Sequence, residues 1–403
     1  MLKFEKNDYT IEEVTLCGET VRFRAFRDLV YVEKPVNVEF QKMNLFVPES
    51  YYEGTSINGY DLLSAPVFMP NTVGGYMPGP ADEPGANPFL QGKPNTIFRA
   101  LQHGYVVASP AIRGRVQKGE DGHYNGKAPA CVVDYKAPAC VVDYKAAVRY
   151  LHFLADELPG DENKIITNGT SAGGALSSLM GSTGNHPDYE PYLQALGAAD
   201  AGDNVFAASC YCPITNLEHA DMAYEWEFCG VNDFHRANMK MDEGGRPVFT
   251  PVDGEMTKEQ ILVSAEEKAM FPAYVNSLGL KDENGDPLTL DADGEGSLKE
   301  YVKRVVMESA QRASDQGVDL SDKPWLIVEN GKVQGMDFTA YVKDITRMKT
   351  APAFDALDLE SPENDLFGNE TTNCRHFTEY STAHTKAQGA CAEAEVVKMM
   401  NPM

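Results

Sequence analysis

The chain has 403 residues, of which 43% are hydrophobic and 24% are charged, a composition typical of a globular protein large enough for two domains or for one domain with a long insertion. Its formal net charge of −25 at pH 7 excludes nucleic acid and anionic membrane surfaces from the expected partners, because both would repel it. No apolar run approaches the roughly 18 residues that a membrane-spanning helix needs.

The N-terminus and the cysteines indicate in which cellular compartment the chain is expected. The first residues, "MLKFEKNDYT", lack the basic-then-apolar order of a signal peptide. The eight cysteines are scattered and no two of them have C-x-x-C spacing. We therefore expect mostly reduced, buried thiols rather than a disulfide scaffold. A cytoplasmic location is expected, with export left open.

Strand-like runs dominate the first half of the chain, and helical stretches lie between the later ones. The stretch "KAAVRYLHFLADELPG", which ends at Gly160, has the composition and the terminal glycine of a helix. Strands that alternate with helices predict an α/β fold with a mostly parallel sheet covered on both faces. Six strand runs lie within the first 214 residues: "VTLCGETVRFRAF", "EFQKMNLFVP", "APVFMP", "GYVVASP", "KIITN" and "VFAASCYCPI".

The nonapeptide "KAPACVVDY" occurs twice in succession, at 127–135 and at 136–144. Nine helical residues turn by about 900°, so two copies within one helix would present opposite faces. Pro138 would also break a helix that began in the first copy, whereas proline is favoured at a first helical position. We therefore expect the helix to begin near Pro138 and the first copy to loop out. A duplication in the DNA or an assembly error explains the identity of the copies better than a function does.

The character of the chain changes after Ile214. From there to about residue 400 it reads as helices separated by polar turns rich in glycine and aspartate, with few signals for parallel strands. We therefore divide the chain into a core domain at 1–213 and a large, mainly helical lid at 214–400, inserted after the sixth core strand.

Residues 169–173 form the pentapeptide G-x-S-x-G, between the apolar strand run "KIITN" and the helix-forming run "GALSSLMG". In an α/β-hydrolase a serine nucleophile occupies such a sharp strand-to-helix turn, with small neighbours because the backbone is crowded there. The context predicts Ser171 as a nucleophile. The alternative is a glycine-rich turn without chemistry.

An oxyanion hole in this fold combines two backbone N–H groups. One would be that of Ala172, directly after the serine, and the other would lie in the loop after an earlier strand. The loop "MPNTVGGYMPGP" follows the strand run "APVFM". Its pair Gly74 and Gly75 would let an N–H group approach a substrate closely. A plain glycine turn is the alternative.

A serine nucleophile needs a histidine that accepts its proton, and in this fold the triad runs Ser, acid, His along the chain. The last candidates, His376 and His384, lie in a segment that reads as helix with no strand before it, whereas the catalytic histidine should follow a final strand. Both are better explained as helix-surface residues, and the acids are too numerous to rank. The histidines after the serine are His186, His219, His235, His376 and His384.

The chain closely resembles the bacterial tannases (tannin acyl hydrolases), nearly from end to end. The resemblance implies an α/β-hydrolase fold with a large lid and the hydrolysis of gallate esters, including the galloyl groups of tannins. It also implies Ser171 as nucleophile, with Gly75 and Ala172 as oxyanion donors. The stretches that carry the resemblance are "MPNTVGGYMPGPADEP", "AIRGR", "IITNGTSAGGA", "CPITNLEHADMAYEW", "TRMKTAPAFDALDLESPENDLFG" and the closing "NPM".

The same resemblance implies how a galloyl ring would be held. In tannases a lysine and two carboxylates bind its three phenol hydroxyls; the lysine corresponds to Lys349 and one carboxylate to Glu363. The apolar groups that clamp the ring correspond to Ile214 and Pro362. The chemistry is consistent, because an ammonium only donates and a carboxylate only accepts, whereas a phenol does both. Without the resemblance, Lys349 and Glu363 would have been read as solvated charges.

Two features depart from the tannase pattern. Relatives carry a single copy of the nonapeptide. Tannases also continue past the position of "NPM", with a segment that returns to the core and carries the catalytic aspartate, the catalytic histidine and the second galloyl-binding carboxylate. We therefore expect the C-terminal return to the core and the triad acid and base to be missing, and the chain as given to be impaired or inactive.

The expected function is that of a serine esterase that hydrolyses gallate esters of tannins and related phenolic esters via a galloyl-serine intermediate. The alternatives are a feruloyl- or general carboxylesterase on the same fold and a non-catalytic, hydrolase-like binding scaffold. The expected partner is a small-molecule phenolic ester. No cofactor, metal, nucleic acid or membrane is expected, and the oligomeric state stays open.

Overall fold

A computed structural model describes residues 2–90, 92–115, 138–241, 247–368, 372–385, 391–392 and 394–401 of the chain. The chain forms two compact units. The first comprises Met1–Glu218 and Leu357–Met403, and the second comprises His219–Ala356.

The first unit is built around one sheet of seven strands. The strands are β1 (Thr10–Leu16), β2 (Glu19–Val30), β3 (Lys42–Pro48), β4 (Pro66–Pro70), β5 (Val106–Pro110), β6 (Asp161–Thr170) and β7 (Ala207–Tyr211). Their order in the sheet is β1-β2-β3-β5-β4-β6-β7. The half from β5 to β7 is parallel, and the half from β1 to β3, including its pairing with β5, is antiparallel.

Helices of the first unit cover this sheet. The central strands β3 and β5 are buried at almost every position, as expected for a sheet covered on both faces. The α-helices of the described residues are α1 (Glu49–Tyr52), α2 (Thr96–Gln102), α3 (Ala139–Phe153), α4 (Ala172–Ser182), α5 (Glu190–Leu196), α6 (Leu217–Phe228), α7 (Lys258–Ser277), α8 (Ser297–Asp315), α9 (Phe338–Ile345), α10 (Pro362–Leu366), α11 (Glu379–His384) and α12 (Ala394–Lys398).

The first strand run of the sequence is a hairpin of two strands. β1 and β2 pair antiparallel, and the two residues between them, Cys17 and Gly18, have φ angles of 52° and 78°. Positive φ angles at both positions are what a two-residue hairpin turn requires. Seven core strands therefore precede the second unit, and the predicted count of six is wrong, because the hydrophobic pattern continues through the turn without a marked break.

The helix α3 begins at Ala139, directly after Pro138, as predicted. The first copy of the nonapeptide lies outside the described residues. Asp143, which belongs to the second copy, is fully buried and binds the guanidinium of Arg113 through both carboxylate oxygens, at 2.8 and 2.7 Å. The side-chain amide of Gln41 donates to the same carboxylate at 2.9 Å. Removing one partner of such a buried pair would leave an uncompensated charge, so the second copy is firmly anchored in this unit.

The second unit is mainly helical, as predicted for a lid, and adds two antiparallel hairpins. These are β8 (Asp233–Met241) with β9 (Pro247–Glu255), and β10 (Leu326–Glu329) with β11 (Lys332–Met336).

The extent of the second unit differs from the predicted boundary at 213/214 and the predicted end at residue 400. The unit begins at His219, and the chain from Leu357 onwards groups with the sheet-containing unit. Tyr189, for example, donates its hydroxyl hydrogen to the carbonyl of Met399 at 2.6 Å, across 210 residues. The last segment has the helical, polar composition of a lid, and a local pattern cannot show such long-range packing.

No helix in the described ranges of the chain is long and apolar enough to cross a membrane. The seven cysteines in these ranges form no disulfide, and Cys140 is the one among them that is fully buried. The expectation of mostly buried thiols is therefore wrong; Cys17, for example, lies in the exposed hairpin turn.

Carboxylates of the second unit are buried close together. Glu225 on α6 accepts two hydrogen bonds from Arg347, at 2.9 and 2.5 Å, and Asp221, one turn earlier, accepts the backbone N–H groups of residues 354–355 at 2.6 and 3.0 Å. Glu267 on α7 is 1% exposed, and neither of its carboxylate oxygens has a hydrogen-bond partner among the described residues. Burial, followed by repulsion from Asp221, raises the pKa of Glu267 to about 10. Glu267 is therefore protonated at neutral pH.

Glu267→Gln is expected to stabilise the second unit above neutral pH. A carboxyl group whose pKa is raised on folding keeps its proton in the native state, so the native state loses stability as pH rises from the unfolded pKa, near 4.5, to the folded value of about 10. Glutamine removes this loss. We expect the free energy of unfolding of the variant to exceed that of the parent by at least about 1 kcal/mol at pH 8 and to fall less steeply with pH.

Urea titrations between pH 5 and 9 would measure this slope. Fluorescence reports the second unit selectively, because both tryptophans of the chain, Trp226 and Trp325, lie there. Glu266→Gln, which changes an exposed carboxylate next to Glu267 on α7, is the matched control. Equal slopes for the parent and Glu267→Gln would contradict the assignment of a buried proton to Glu267.

Candidate active site

Ser171 occupies a sharp turn between β6 and α4. β6 ends at Thr170 and α4 begins at Ala172, so a single residue joins strand and helix. Its backbone has φ 58° and ψ −121°, which a non-glycine residue adopts only where the surrounding structure enforces it. The Ser171 N–H donates to the carbonyl of Tyr211 at the end of β7, at 2.9 Å. Ser171 is exposed at the C-terminal edge of the parallel strands, the edge at which such sheets bind ligands.

The glycines around Ser171 are required by close backbone contacts. A Cβ atom on Gly169 would lie 2.2 Å from the carbonyl oxygen of Gly173. A Cβ on Gly173 would lie 2.4 Å from Oδ1 of Asn71, and one on Gly174 would lie 2.7 Å from the carbonyl oxygen of Tyr211. These distances are below those of real Cβ contacts, so side chains at these positions would push the strand, the helix and their neighbours apart.

Asn71, directly after β4, joins the Ser171 turn to the glycine loop. Its side-chain amide donates to the carbonyls of Asn168 and Gly173, both at 3.0 Å, and to Oγ of Ser177 at 3.1 Å. Its Oδ1 accepts the N–H of Val73 at 3.2 Å. One buried carboxamide therefore fixes the two backbone segments together. The one sequence signal for Asn71 is a polar side chain directly after a buried strand, and no role was predicted for it.

The glycine loop makes a tight turn from Gly74 to Met77. Gly75 and Tyr76 have φ angles of 54° and 57°, and the N–H of Met77 donates to the carbonyl of Gly74 at 3.0 Å. Positive φ at both central residues is the signature of a type I′ turn. In a trans peptide group the C=O and N–H point in opposite directions. The bond from Met77 therefore directs the N–H of Gly75 to the outer side of the turn, where it is available as a donor.

Arg115 contacts this turn twice. Its Nε donates to the carbonyl of Gly75 at 2.8 Å, and its backbone N–H donates to the carbonyl of Tyr76 at 2.9 Å. Its Nη1 forms an ion pair with the carboxylate of Asp365 on α10. Neither Arg115 nor Asp365 was predicted as a site residue, although both lie in stretches that carry the resemblance.

The short helix α10 carries two of the predicted site residues. The Oγ of Ser361 caps it by accepting the N–H of Asn364 at 2.9 Å. Pro362 is the first helical residue, a position that suits proline, and it is exposed. Glu363 is 5% exposed. Ile214, in the loop after β7, is half-buried. The first unit thus contains every predicted site residue except one.

That remaining residue, Lys349, lies in the second unit and is held by contacts with α6. The hydroxyl of Tyr224 accepts the N–H groups of Met348 and Lys349, at 3.0 and 3.1 Å. The guanidinium of Arg347 donates to the carbonyl of Lys349 at 3.0 Å. The half-buried ammonium of Lys349 lies 4.1 Å from the ring centre of Phe354, within cation–π range. The backbone and the ammonium are therefore both fixed.

Three described histidines of the first unit follow Ser171 in the chain. His384 Nδ1 lies 2.7 Å from the carbonyl of Tyr380, His376 is fully buried, and His186 caps the 3-10 turn before α5. Among the described histidines of the first unit, none is hydrogen-bonded to Oγ of Ser171. The same ranges of the chain contain no group of three or more His, Cys, Asp or Glu side chains arranged to bind a metal. The second unit contains His219 and His235.

Fold and turn together define a class of protein. A mixed sheet whose parallel half ends in a serine on a strained strand-to-helix turn, beside a glycine turn with an outward N–H, is the architecture of an α/β-hydrolase. The model of the BD-FAE family, an α/β-hydrolase family, matches residues 128–253. A sequence comparison with curated proteins gives no match.

Solved structures give the particular family. A tannase from Lactobacillus plantarum is 45% identical with a TM-score of 0.93, and the match covers 100% of this chain and 84% of that one. A Fusobacterium nucleatum tannase is 42% identical with a TM-score of 0.91, over 100% of this chain and 85% of that one. A tannin acyl hydrolase in complex with ethyl gallate is 45% identical with a TM-score of 0.90, over 100% and 83%. The chain belongs to the tannases, which are carboxylic ester hydrolases.

Gly173→Ala is expected to destabilise the protein by about 1–3 kcal/mol, the range for overpacking a tight site. The added methyl group would lie 2.4 Å from Oδ1 of Asn71 and 2.7 Å from the carbonyl oxygen of Val73. Gly74→Ala is the matched control, because a Cβ there has no atom within 4 Å. Thermal unfolding followed by circular dichroism measures both. The account of the crowded turn fails if Gly173→Ala unfolds at the same temperature as Gly74→Ala.

Proposed function

We propose that the chain acts as a serine esterase that hydrolyses gallate esters of tannins and related phenolic esters through a galloyl-serine intermediate. Membership of the tannase family and the relative in complex with ethyl gallate support this substrate class. The observation that carries the proposal is the conformation of Ser171, a strained and exposed residue at the end of β6 beside the turn of Gly75.

The proposed mechanism uses these groups together with a general base. Oγ of Ser171 attacks the ester carbonyl carbon, a general base takes the hydroxyl proton, and the carbonyl oxygen becomes an oxyanion. The N–H groups of Ala172 and Gly75 stabilise it, and the N-terminus of α4 adds positive potential. The intermediate then expels the alcohol, which takes up the proton, and leaves galloyl-serine. Water attacks this ester by the same steps and releases gallate.

Four residues hold the galloyl ring in this proposal. Lys349 donates hydrogen bonds to phenol oxygens, and Glu363 accepts hydrogen bonds from phenol hydroxyls. Ile214 and Pro362 clamp the faces of the ring. The fixed ammonium of Lys349 supports its assignment, because a held donor loses little side-chain entropy on binding.

Among the described histidines of the first unit, none is hydrogen-bonded to Oγ of Ser171. A triad serine without its base loses roughly 10⁶-fold in rate. If no other group serves as the base, we expect the chain to hydrolyse methyl gallate far more slowly than an ordinary esterase would. Turnover of methyl gallate at an ordinary enzymatic rate would refute the expected impairment while supporting the proposed activity.

Ser171→Ala is expected to abolish both slow gallate release from methyl gallate and labelling by a fluorophosphonate, because both reactions form a bond to Oγ of Ser171. Gallate would be quantified by chromatography over hours, and labelling by mass spectrometry. Ser178→Ala, on the half-buried side of the same helix, is the matched control. Equal gallate release by the parent and Ser171→Ala would contradict the proposed function.

Lys349→Met is expected to weaken the binding of gallate by about 10–100-fold, because a hydrogen bond to a charged donor contributes roughly 1.5–3 kcal/mol. The binding of benzoate, which has no phenol hydroxyls, should change little. Calorimetry with both acids measures the difference without requiring turnover. Lys343→Met, an exposed lysine of the same unit, is the control. An equal loss for gallate and benzoate would show that Lys349 does not read the hydroxyls.

A feruloyl- or general carboxylesterase is the second candidate, favoured by the match of residues 128–253 to the BD-FAE family model. Relative rates on methyl gallate, methyl ferulate and ethyl acetate separate the two. A preference for methyl gallate supports the tannase activity, and a preference for either other ester replaces it. A non-catalytic scaffold would bind gallate but release none from methyl gallate, even over hours.

A further inference from the structure

We propose that Arg115 is a positioning residue that locks the oxyanion-binding turn, and that Asp365 joins this turn to the helix that carries Glu363. The inference rests on the proposed role of Gly75 as an oxyanion donor and deepens it. Neither Arg115 nor Asp365 has a part in the chemistry itself; both act through the backbone of the turn.

The turn needs a lock because it can rearrange. Glycine adopts positive and negative φ with similar ease, so the peptide group between Gly74 and Gly75 can rotate at low cost. Rotation would replace the outward N–H of Gly75 by a carbonyl oxygen, which repels an oxyanion. Tyr76 adds strain, since a non-glycine residue at φ 57° costs on the order of 1–3 kcal/mol. The bond from the Met77 N–H to the carbonyl of Gly74 opposes this rotation, and contacts at the next two carbonyls of the turn would keep that bond in place.

Arg115 supplies these contacts at two successive carbonyls. Its Nε donates to the carbonyl of Gly75 at 2.8 Å and its backbone N–H donates to that of Tyr76 at 2.9 Å. The N–H of Met77 donates to the third carbonyl, that of Gly74. The carbonyls of Gly74, Gly75 and Tyr76 therefore each accept a hydrogen bond that opposes rotation of their peptide group.

The segment around Arg115 is itself fixed against the loop. A Cβ atom on Gly114 would lie 2.1 Å from the backbone nitrogen of Pro78, so the two backbones touch. Next to them, Gly79 and Ile112 exchange two backbone hydrogen bonds, at 3.0 and 2.7 Å. Arg115 is therefore presented to the turn by a rigid pair of segments, and a side chain at Gly114 would separate them.

Asp365 holds the other end of the guanidinium. Its ion pair with Nη1 of Arg115 is largely shielded, with side chains 18% and 11% exposed, and charge-assisted hydrogen bonds of this kind are stronger than neutral ones. Asp365 lies two residues after Glu363 on α10, whose Asn364 is tied to the chain at Arg375 by two hydrogen bonds, at 3.0 and 3.1 Å. The oxyanion donor and the proposed galloyl-binding carboxylate thus share one support. Such a support keeps a bound ester carbonyl in register with the donor.

The decisive variants are Arg115→Gln, Asp365→Asn and the double variant. The control is Arg24→Gln, because Arg24 pairs with Glu49 and its side chain is also 18% exposed. Each protein is tested for its rate of Ser171 labelling by a fluorophosphonate, for amide hydrogen exchange in residues 72–79, and for thermal stability. We expect Arg115→Gln to slow labelling at least about 10-fold, because one oxyanion donor contributes roughly 10²–10³-fold, and to speed exchange in the loop.

Asp365→Asn should change both quantities in the same direction but by less. The double variant should be no slower than Arg115→Gln, because both substitutions break one linkage. Arg115→Lys, which keeps a charged donor, should recover part of the labelling rate. Arg24→Gln should lower thermal stability while leaving labelling and loop exchange unchanged, which separates positioning from general destabilisation.

The reagent carries no galloyl group, so the outcome does not depend on the substrate class. Unchanged labelling and unchanged loop exchange in Arg115→Gln would overturn the inference and leave the esterase proposal intact. If the parent itself resists labelling, hydrogen exchange decides: faster exchange in residues 72–79 supports the lock, and unchanged exchange overturns it. Failure of the parent to act on gallate esters would count against the proposed function alone.

Discussion

The side-chain amide of Asn71 is the contact on which the arrangement of the site depends. It binds the carbonyls of Asn168 and Gly173 on one side, and its Oδ1 binds the N–H of Val73 on the other. The strained backbone of Ser171 is therefore held from the same point as the glycine loop. The G-x-S-x-G pattern also gains a second reason: glycine at 173 makes room for the carboxamide as well as for the sharp turn. Without Asn71, the two halves of the proposed oxyanion hole would lose their common anchor.

Much of the fold could be predicted from the sequence, because its signals are local. Alternating strand and helix patterns, the start of α3 after Pro138 and the strand-to-helix turn at Ser171 are all written in short stretches. The hairpin turn at Cys17 and Gly18 was not predicted, because the apolar alternation continues through it. The extent of the second unit escaped because the last segment resembles a lid in composition, while its partners, such as Tyr189 for Met399, are distant in the chain.

The proposed site residues also differ in whether a local sequence signal predicts them. Ser171 and Ala172 follow from a motif, and Gly75 from a pair of glycines after a strand. Lys349, Glu363, Ile214 and Pro362 required a family resemblance, since a single lysine or proline has no local signature.

Asn71, Arg115 and Asp365 were missed for a related reason. Their roles come from hydrogen bonds that span 97, 40 and 250 residues of sequence. No spacing rule reports contacts of that range, and they become visible when the backbone is folded.

In the second unit, one face of α6 holds the segment around Lys349. Asp221, Tyr224 and Glu225 occupy positions i, i+3 and i+4 of α6 and therefore lie side by side. They hold the segment around Lys349 through backbone N–H groups and through Arg347. Burying several carboxylates there is costly, and the protonated state of Glu267 lowers that cost. As a result, the backbone and the ammonium of Lys349 are both fixed.

The most direct test of the account is a crystal structure of the chain with Ser171 phosphonylated. The phosphoryl oxygen then stands where the oxyanion of the reaction would form. We predict that this oxygen lies about 2.7–3.1 Å from the backbone nitrogens of both Ala172 and Gly75, with Arg115 still bound to the carbonyl of Gly75. An oxygen that points to solvent, or a turn in which the carbonyl of Gly74 has replaced the N–H of Gly75, would contradict it.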